Sequence, residues 1–387
     1  MKVAPLRVAV LGAGPVGLEA ALYTKSLGLA VTVYERGQPG GHLDRWGFLR
    51  MFTPFGMNHT PLGRSALLRD QPDRELPADT DTLTGKEFKE SYLVPLATCS
   101  ALRGVVQTDA RILAVGRAGW RKSEAETAKL PPFRLLVRAG TGAERFDAAD
   151  VVLDCTGTLH APNWAGDGGL PAAGEVAARP QMSYWVDDVR DTRRAVYANR
   201  TVVVIGGGYS AATVVCDLAE VAQRDQSTWV VWLTHAPRSA PLPRLPNDPL
   251  RERDRLAARA NHLAARCDGN LEYHPQTAVD EILCHGPEKG FRVGGRVNGV
   301  PTSWEAERVI ACVGYRPDLS LTTELRVSEP AGDIVTAEPG YFVLGQKAAG
   351  RGGEFLLADG HRQITRAMAI IQRQPGLDLY AERRRAA

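Results

Sequence analysis

The sequence predicts an α/β fold made of two related modules, the second inserted into the first. Glycine-rich turns at 12–17 and 206–211 each follow a short apolar run and precede a helix-like run. A later strand-like run in each half ends in Gly157 or Gly314. Because both halves repeat the same order of strand, turn, helix and closing strand, we expect two Rossmann-like modules.

The first glycine turn has the residues that a bound pyrophosphate requires. Gly12 and Gly14 leave room for a phosphate to approach the main chain at a helix N-terminus, and Gly17 lets that helix pack closely on its strand. The next apolar run ends in Glu35, at the expected interval of about 20 residues, where a carboxylate can accept hydrogen bonds from an adenosine ribose. The turn therefore predicts dinucleotide binding rather than a simple strand-to-helix connection.

The second glycine turn is not followed by such an acid. Its next strand, Trp229 to Thr234, leads into a segment that contains His235 and Arg238. A guanidinium can hold a ribose 2′-phosphate through two parallel hydrogen bonds, whereas a carboxylate would repel it. We therefore expect NADPH rather than NADH at this turn. The alternative is that Arg238 is only a solvent-exposed residue of a proline-rich loop and binds no ligand.

Short strands separated by polar turns indicate an antiparallel β-meander in each half. The expected boundaries give one discontinuous module, residues 1–160 with 315–387, and one inserted module, residues 161–314. The segment 162–180 is rich in Gly, Ala and Pro and suits a linker. A helix is expected from Asn247-Asp248-Pro249 to near Gly269.

Composition excludes several classes of function. The net charge is +3, and basic residues are interleaved with acidic ones, so no nucleic-acid surface is indicated. No uncharged apolar run approaches the roughly 18 residues of a membrane-spanning helix, and the first apolar run is the strand that feeds the first turn rather than a signal peptide. We expect a cytoplasmic protein that acts on a small molecule, with homo-oligomerisation left open.

The cysteines indicate neither a disulfide framework nor a metal site. The six residues contain no CxxC motif and no metal-ligand spacing. They are Cys99, Cys155, Cys216, Cys267, Cys284 and Cys312. Cys155 and Cys312 precede corresponding strand-end glycines, and we expect them to fill small buried sites rather than to carry redox chemistry.

The chain resembles the flavoproteins with two dinucleotide-binding domains, which include disulfide reductases and flavin-containing monooxygenases. The resemblance covers nearly the whole chain: the first turn with Glu35, the strand end at 155–157, the second turn, and a C-terminal Gly motif. It implies that the outer module binds FAD and that the inserted module binds NADPH. The residues so implied, beyond those of the first turn, are Gly41, His42, Thr156, Gly157, Gly345 and Gln346 for FAD, Gly206, Gly208 and Ala211 for NADPH, and Gly314 and Tyr315 for cofactor binding where the chain crosses between the modules.

The C-terminal motif is most like that of bacillithiol-disulfide reductases, with two departures. Those reductases carry a cysteine inside the first glycine turn, where this chain has Val16. Without that thiol, the usual relay of electrons to a disulfide is missing. Most of the family has Gly-Asp in the last motif, where this chain has Gly345-Gln346. An amide can still hydrogen-bond the ribityl chain, so we expect flavin binding to be retained.

Monooxygenases of this group often have an Asn near the flavin, in an Asn-x-Ser/Thr pattern similar to Asn58-His59-Thr60. The resemblance implies a catalytic role for Asn58, through a hydrogen bond to a flavin C4a-hydroperoxide or to NADP⁺. The alternative is that Asn58 is a turn residue beside Gly56. Lys347 and Arg351 follow the last Gly motif, where a cation could stabilise reduced flavin, or could simply be solvated.

These observations lead to an FAD-dependent oxidoreductase that takes hydride from NADPH. We expect a monooxygenase that uses oxygen to hydroxylate a small amine or thiol. Two alternatives stay open: an NADPH-dependent disulfide reductase, and a nucleotide-binding regulator that no longer turns over.

Overall fold

The computed structural model describes residues 5–124, 130–266, 270–286, 288–352 and 354–386. The chain divides into two compact units. The first, called the outer unit, comprises Met1–Ala161 and Arg316–Ala387, and the second, called the inserted unit, comprises Pro162–Tyr315.

The strands are β1 Arg7–Leu11, β2 Ala30–Tyr34, β3 Val106–Gln107, β4 Ala110–Arg117, β5 Phe133–Ala139, β6 Glu144–Ala149, β7 Val151–Asp154, β8 Thr201–Ile205, β9 Trp229–Leu233, β10 Leu271–His274, β11 Thr277–Gly286, β12 Gly290–Val297, β13 Val300–Ala306, β14 Arg308–Ala311 and β15 Tyr341–Val343. The α-helices are α1 Pro15–Ser26, α2 Pro61–Asp70, α3 Gly85–Phe88, α4 Val94–Thr98, α5 Glu175–Ala178, α6 Arg194–Tyr197, α7 Tyr209–Arg224, α8 Arg251–Arg266, α9 Leu357–Ile371 and α10 Leu379–Ala386.

The outer unit is built on a parallel sheet with the strand order β15-β7-β1-β2-β3. The central strands are buried on both faces, as expected for a parallel sheet that helices cover, and so they read as continuous apolar runs. Helix α1 packs between this sheet and α9, and Thr24 of α1 donates a hydrogen bond to the Met368 sulfur at 3.7 Å. An antiparallel sheet, β4-β5-β6, completes the unit.

The inserted unit repeats this plan with a parallel sheet ordered β14-β8-β9-β10 and an antiparallel sheet β11-β12-β13. The order matches β7-β1-β2-β3 of the outer unit, so β15 is an additional strand of the outer sheet. The predicted fold class is confirmed: two Rossmann-like modules, one inserted into the other, each carry an antiparallel β-meander.

The linker prediction for 162–180 is wrong. This segment folds into the inserted unit, because the buried carboxylate of Glu175 accepts hydrogen bonds from the N–H of Ala165 at 2.9 Å and of Ala172 at 2.8 Å. The Ala173 backbone also bonds to both sides of the bulge in β11. A Gly- and Pro-rich composition here reflects tight turns within a packed segment. The helix predicted to end near Gly269 is α8, and Gly269 itself lies outside the described residues.

Candidate functional site

The first cradle, residues 12–17, joins β1 to α1. Gly12 has a φ of +96°, and a Cβ there would lie 2.9 Å from the Cys155 carbonyl oxygen. A Cβ at Gly17 would lie only 2.0 Å from the Gly12 oxygen, so any side chain at this position would push the turn away from the helix. Gly14 caps α1 without a side-chain hydrogen bond, which leaves the first N–H groups of the helix for a ligand.

Glu35 follows β2 and fixes the conformation of the first cradle. Its carboxylate accepts hydrogen bonds from the Ala13 N–H at 2.8 Å and from the Gly37 N–H at 2.9 Å. One oxygen is used in each bond, and each retains further acceptor capacity. Glu35 is therefore positioned beside the turn and can still accept a hydrogen bond from a ribose hydroxyl.

His42 lies against the same cradle. A Cβ at Gly14 would be 3.4 Å from the His42 ring, and Gly41 begins the short 3-10 helix that carries the ring. Burial lowers the pKa of His42 to about 4, although the carboxylate of Asp44 opposes the shift. The imidazole is therefore neutral near pH 7 and adds no positive charge at the mouth of the cradle.

The second cradle, residues 206–211, joins β8 to α7. Gly206 has a φ of +136°, and a Cβ there would be 2.2 Å from the Cys312 carbonyl oxygen. Gly208 caps α7 without a side-chain hydrogen bond and has open space beside it. Ala211, which corresponds to Gly17, is fully buried, so the second turn accommodates a Cβ that the first cannot.

The segment after β9 is open and basic. His235 and Arg238 are both exposed, and Arg238 makes no ion pair within the described part of the chain. Arg238 and Arg244 line a cavity of about 430 Å³, in which Arg244 is held by Asp254. Thr234 lies beside Gly207, so this basic segment begins at the second cradle.

The two closing strands end differently. After β7, the Thr156 hydroxyl donates to the Asp154 carboxylate at 2.6 Å, and Gly157 has a φ of +68°. After β14, Gly314 has a φ of +77°, and the Tyr315 hydroxyl donates to the Tyr184 carbonyl at 3.0 Å within the inserted unit. Only the first of these two ends carries a charged side chain.

A buried ion pair lies at the end of β7 in the outer unit. The Lys347 ammonium lies 2.6 Å from the Asp154 carboxylate, and their side chains are 1% and 0% exposed. Lys347 also donates to the Thr156 hydroxyl at 3.2 Å, and the Tyr341 hydroxyl donates to Asp154 at 2.8 Å. Burial alone would raise the pKa of Asp154, but the Lys347 charge and these hydrogen bonds lower it.

Lys347 is thus a charged residue of the core, which rules out the solvated-surface alternative for this position. Arg351, by contrast, is half exposed and pairs with Glu329 at 2.7 Å. The sequence carries only two signals of this buried pair: an acid on a central strand, Asp154, and a lysine after the last Gly motif.

The last Gly motif contacts the first cradle. Gly345 has a φ of +76°, its N–H donates to the Gln363 side chain at 2.6 Å, and a Cβ there would lie 3.6 Å from Val16. Val16 also packs against Gly360 of α9. The Gln346 amide nitrogen donates to the Gly352 carbonyl at 2.7 Å.

Asn58 has its side chain engaged within its own loop. The carbonyl oxygen of the amide accepts from the Thr53 hydroxyl at 2.8 Å, and the amide nitrogen donates to the carbonyls of Thr53 and Pro54 at 3.1 Å. Asn58 is 2% exposed. These contacts favour the turn-residue alternative, and the catalytic role remains a prediction.

The described cysteines are all free thiols. Burial, followed by the Asp154 charge, raises the pKa of Cys155 well above its usual value, and burial raises the pKa of Cys312 to about 12. Burial likewise raises the pKa of Cys216 to about 12. These thiols are therefore protonated near pH 7 and poorly suited to attack a disulfide. Cys267 lies outside the described residues.

Comparison with known proteins gives similarity at the level of structure alone. No family model matches the chain, and no curated protein sequence matches it. Among solved structures, the bacillithiol disulfide reductase of Bacillus cereus has 19% identity and a TM-score of 0.69, with 96% of this chain and 100% of that chain covered.

Two monooxygenases are also similar in structure. The FAD-bound cadaverine monooxygenase of Erwinia amylovora has 15% identity and a TM-score of 0.66, with 96% of this chain and 95% of that chain covered. A flavin monooxygenase from Stenotrophomonas maltophilia has 20% identity and a TM-score of 0.60, with 96% and 99% covered. The chain therefore has the fold of the flavoproteins with two dinucleotide-binding domains.

Proposed function

We propose that the protein is an FAD-dependent oxidoreductase that takes hydride from NADPH and uses oxygen to hydroxylate a small amine or thiol. The observation that carries the proposal is the pair of glycine cradles, each at an uncapped helix N-terminus, in a chain where burial keeps the thiols of Cys155, Cys216 and Cys312 protonated. When bound, the two cofactors would supply hydride transfer and oxygen activation.

The outer unit has residues that suit FAD. Gly12 and Gly14 would admit the pyrophosphate to the N–H groups of α1, and Glu35 would accept a hydrogen bond from the ribose. Lys347 follows the last Gly motif directly and is fixed by Asp154 and Thr156. Because Asp154 compensates its charge, Lys347 would act as a preoriented hydrogen-bond donor rather than as a free cation.

The inserted unit has residues that suit NADPH. Gly206 and Gly208 would admit a second pyrophosphate at α7, and the exposed Arg238 offers a guanidinium to a 2′-phosphate. No carboxylate follows β9, since the position corresponding to Glu35 is occupied by Thr234. This difference between the two strand ends supports NADPH over NADH.

The thiols favour an oxygenase over a disulfide reductase. Val16 occupies the position at which bacillithiol-disulfide reductases carry their cysteine, and its side chain packs on Gly345 and Gly360. Cys155 lies behind the same turn, since a Cβ at Gly17 would be 3.4 Å from its Cβ. A reductase would need a thiolate that can form a mixed disulfide, and burial works against one at Cys155.

The proposed reaction balances with oxygen as the oxidant. For an amine, NADPH, H⁺, O₂ and R–NH₂ yield NADP⁺, R–NHOH and H₂O: one oxygen atom enters the product and the other leaves as water. The two electrons come from NADPH. A thiol would take up one oxygen atom in the same way.

The test begins with the purified protein. We expect it to retain flavin absorbance that NADPH bleaches under nitrogen. With a panel of small amines and thiols under air, NADPH consumption should be matched by hydroxylated product. Complete recovery of the electrons as hydrogen peroxide, together with reduction of low-molecular-weight disulfides under nitrogen, would reject the oxygenase in favour of a reductase. Failure of both cradles to bind nucleotide would reject the redox function.

No helix in the described part of the chain combines the length and apolarity needed to cross a membrane. We place the protein in the cytoplasm as part of the proposal, where NADPH and a reducing environment for its free thiols are both available.

A further inference from the structure

The outer unit contains a cavity of about 1030 Å³ that the proposed function does not use. One wall is the segment from Gly56 to Pro61, and the other is formed by α9 with the residues up to Tyr380. This volume is at the upper end of the range for small-molecule sites. The wall at Thr60 is firmly held, because its hydroxyl donates to the buried carboxylate of Glu19 at 2.7 Å.

Two polar groups of residues that line this cavity are buried without a hydrogen-bond partner among the described residues. They are the Nε2 atom of His361 and the hydroxyl of Tyr380. Tyr380 is only 4% exposed, and the two rings lie 6.1 Å apart. Leaving such a group unpaired costs about 1–3 kcal/mol. Unsatisfied groups side by side at one cavity therefore indicate a ligand that supplies the missing partner.

Three arginines line the cavity, Arg362, Arg366 and Arg373, together with one acid, Asp378. Two of these arginines already contact carboxylates, Arg362 with Asp359 and Arg366 with Asp333 at 3.0 Å, but both remain more than half exposed. Burial lowers the pKa of His361 to about 4, so the His361 ring is neutral near pH 7.

Apolar side chains also line the cavity. They are those of Met57, Ala369, Ile370 and Leu377, and Ile370 is 43% exposed although it is a large hydrophobic residue. The cavity thus offers three kinds of contact: exposed guanidinium groups, apolar side chains, and buried hydrogen-bonding groups. A small organic anion with an apolar body and a distal hydroxyl matches all three.

We propose that this cavity binds a small organic carboxylate whose anionic head lies at Arg366 and Arg373, whose apolar body lies along α9, and whose distal polar group bonds His361 and Tyr380. The site lies within the outer unit and does not depend on the proposed oxygenase reaction. It adds a ligand site that is separate from the glycine cradles.

Isothermal titration of the full chain, saturated with FAD and NADP⁺, tests this proposal. The probes are 2-naphthoate, its neutral counterpart 2-naphthamide, and 6-hydroxy-2-naphthoate. We expect 2-naphthoate to bind in a 1:1 ratio and at least about tenfold more tightly than the amide, since one charge-assisted contact is worth about that factor. The added hydroxyl should tighten binding further.

Two sets of variants separate the guanidinium groups from the buried hydrogen-bonding groups. The double variant Arg366→Gln with Arg373→Gln should remove the preference for the acid over the amide, whereas Arg103→Gln, an exposed arginine elsewhere in the outer unit, should not. Tyr380→Phe should leave the melting temperature unchanged or higher and should abolish the advantage of the hydroxylated probe. Equal binding of acid and amide, or a preference that survives the double variant, would overturn the proposal.

Discussion

The two modules share the geometry of their glycine turns but differ in the charge at the end of the closing strand beside each turn. In the outer unit, β7 ends in Asp154, and the additional strand β15 brings Tyr341 and Lys347 onto that carboxylate. In the inserted unit, β14 ends in Ala311, which occupies the position that corresponds to Asp154 and carries no charge. The backbone cradle is therefore common to both modules, and a buried ion pair distinguishes the first.

A second contrast concerns buried aspartates. Asp154 has a lowered pKa because Lys347 and three hydrogen-bonding groups outweigh its burial. Asp217 of α7 has a pKa raised to about 6, because burial outweighs the half-exposed Arg190 at 3.4 Å. Stability from Asp154 is present above the pKa of an unfolded aspartate and is lost as pH falls through its folded value. For Asp217 the neutral form is favoured, so stability is lost as pH rises towards about 6.

Breaking the buried ion pair should have the largest effect. Lys347→Met leaves Asp154 charged and uncompensated in the core, and we expect the outer unit to lose about 3–5 kcal/mol of unfolding free energy. Hydrogen exchange followed by mass spectrometry reports on each unit separately. The double variant Lys347→Met with Asp154→Asn removes both charges and should recover part of the loss. If Lys347→Met is as stable as the wild type, the ion pair contributes nothing to the unfolding free energy of the outer unit.

The second-largest effect is expected from exchanging the corresponding residues Gly17 and Ala211 between the two cradles. Gly17→Ala places a Cβ 2.0 Å from the Gly12 oxygen, and relieving this overpacking costs about 1–3 kcal/mol. We expect FAD affinity to fall by about 10–100-fold. The matched change Ala211→Gly should leave NADPH affinity within about threefold, since only helix propensity is altered. Flavin fluorescence titration measures the first, and calorimetry measures the second.

The pH response of the inserted unit should depend on Asp217. Between about pH 5 and about pH 7.5, a carboxyl with a pKa near 6 costs the folded state about 1.4 kcal/mol as it ionises. Asp217→Asn should remove this slope, so its stability relative to the wild type should rise with pH over that interval. Urea titrations at both pH values measure it. A difference that stays constant with pH would contradict the raised pKa.

The smallest expected effect is on nucleotide choice. Arg238→Gln removes a guanidinium from an exposed site where salt screens charge, so we expect NADPH to bind about fivefold more weakly. Affinity for NADH, which lacks the 2′-phosphate, should not change. Arg224→Gln, at the end of α7, is a suitable control. If both nucleotides weaken equally, Arg238 does not contact the 2′-phosphate.

The fold class could be predicted because its signals are local. The glycine turns, the strands that precede them and the Gly157 and Gly314 strand ends each occupy a few consecutive residues, and the structure confirms the architecture they predict. The buried ion pair could not be predicted in the same way, because its partners are 193 residues apart and the lysine alone suits a surface as well as a core.

Two other features show the limits of composition and motif. The segment 162–180 has the composition of a linker, yet Glu175 anchors it by accepting three hydrogen bonds that no pattern of Gly and Pro could indicate. Strand β6 was not anticipated, because its polar side chains face solvent on a meander edge. The cavity between residues 56–61 and α9 depends on a tertiary approach of two distant segments.

The late position of β15 in the chain has a consequence for biosynthesis. Strand β7 pairs with β15, and Asp154 meets Lys347, only after the ribosome has synthesised residues 341–347, which follow the whole inserted unit in the chain. The inserted unit is continuous, so it can fold while the outer unit still waits for its final strand. Domains usually form in order from the N-terminus as they emerge. Here the inserted unit would fold first, and Asp154 would stay without its lysine partner until Lys347 has been synthesised.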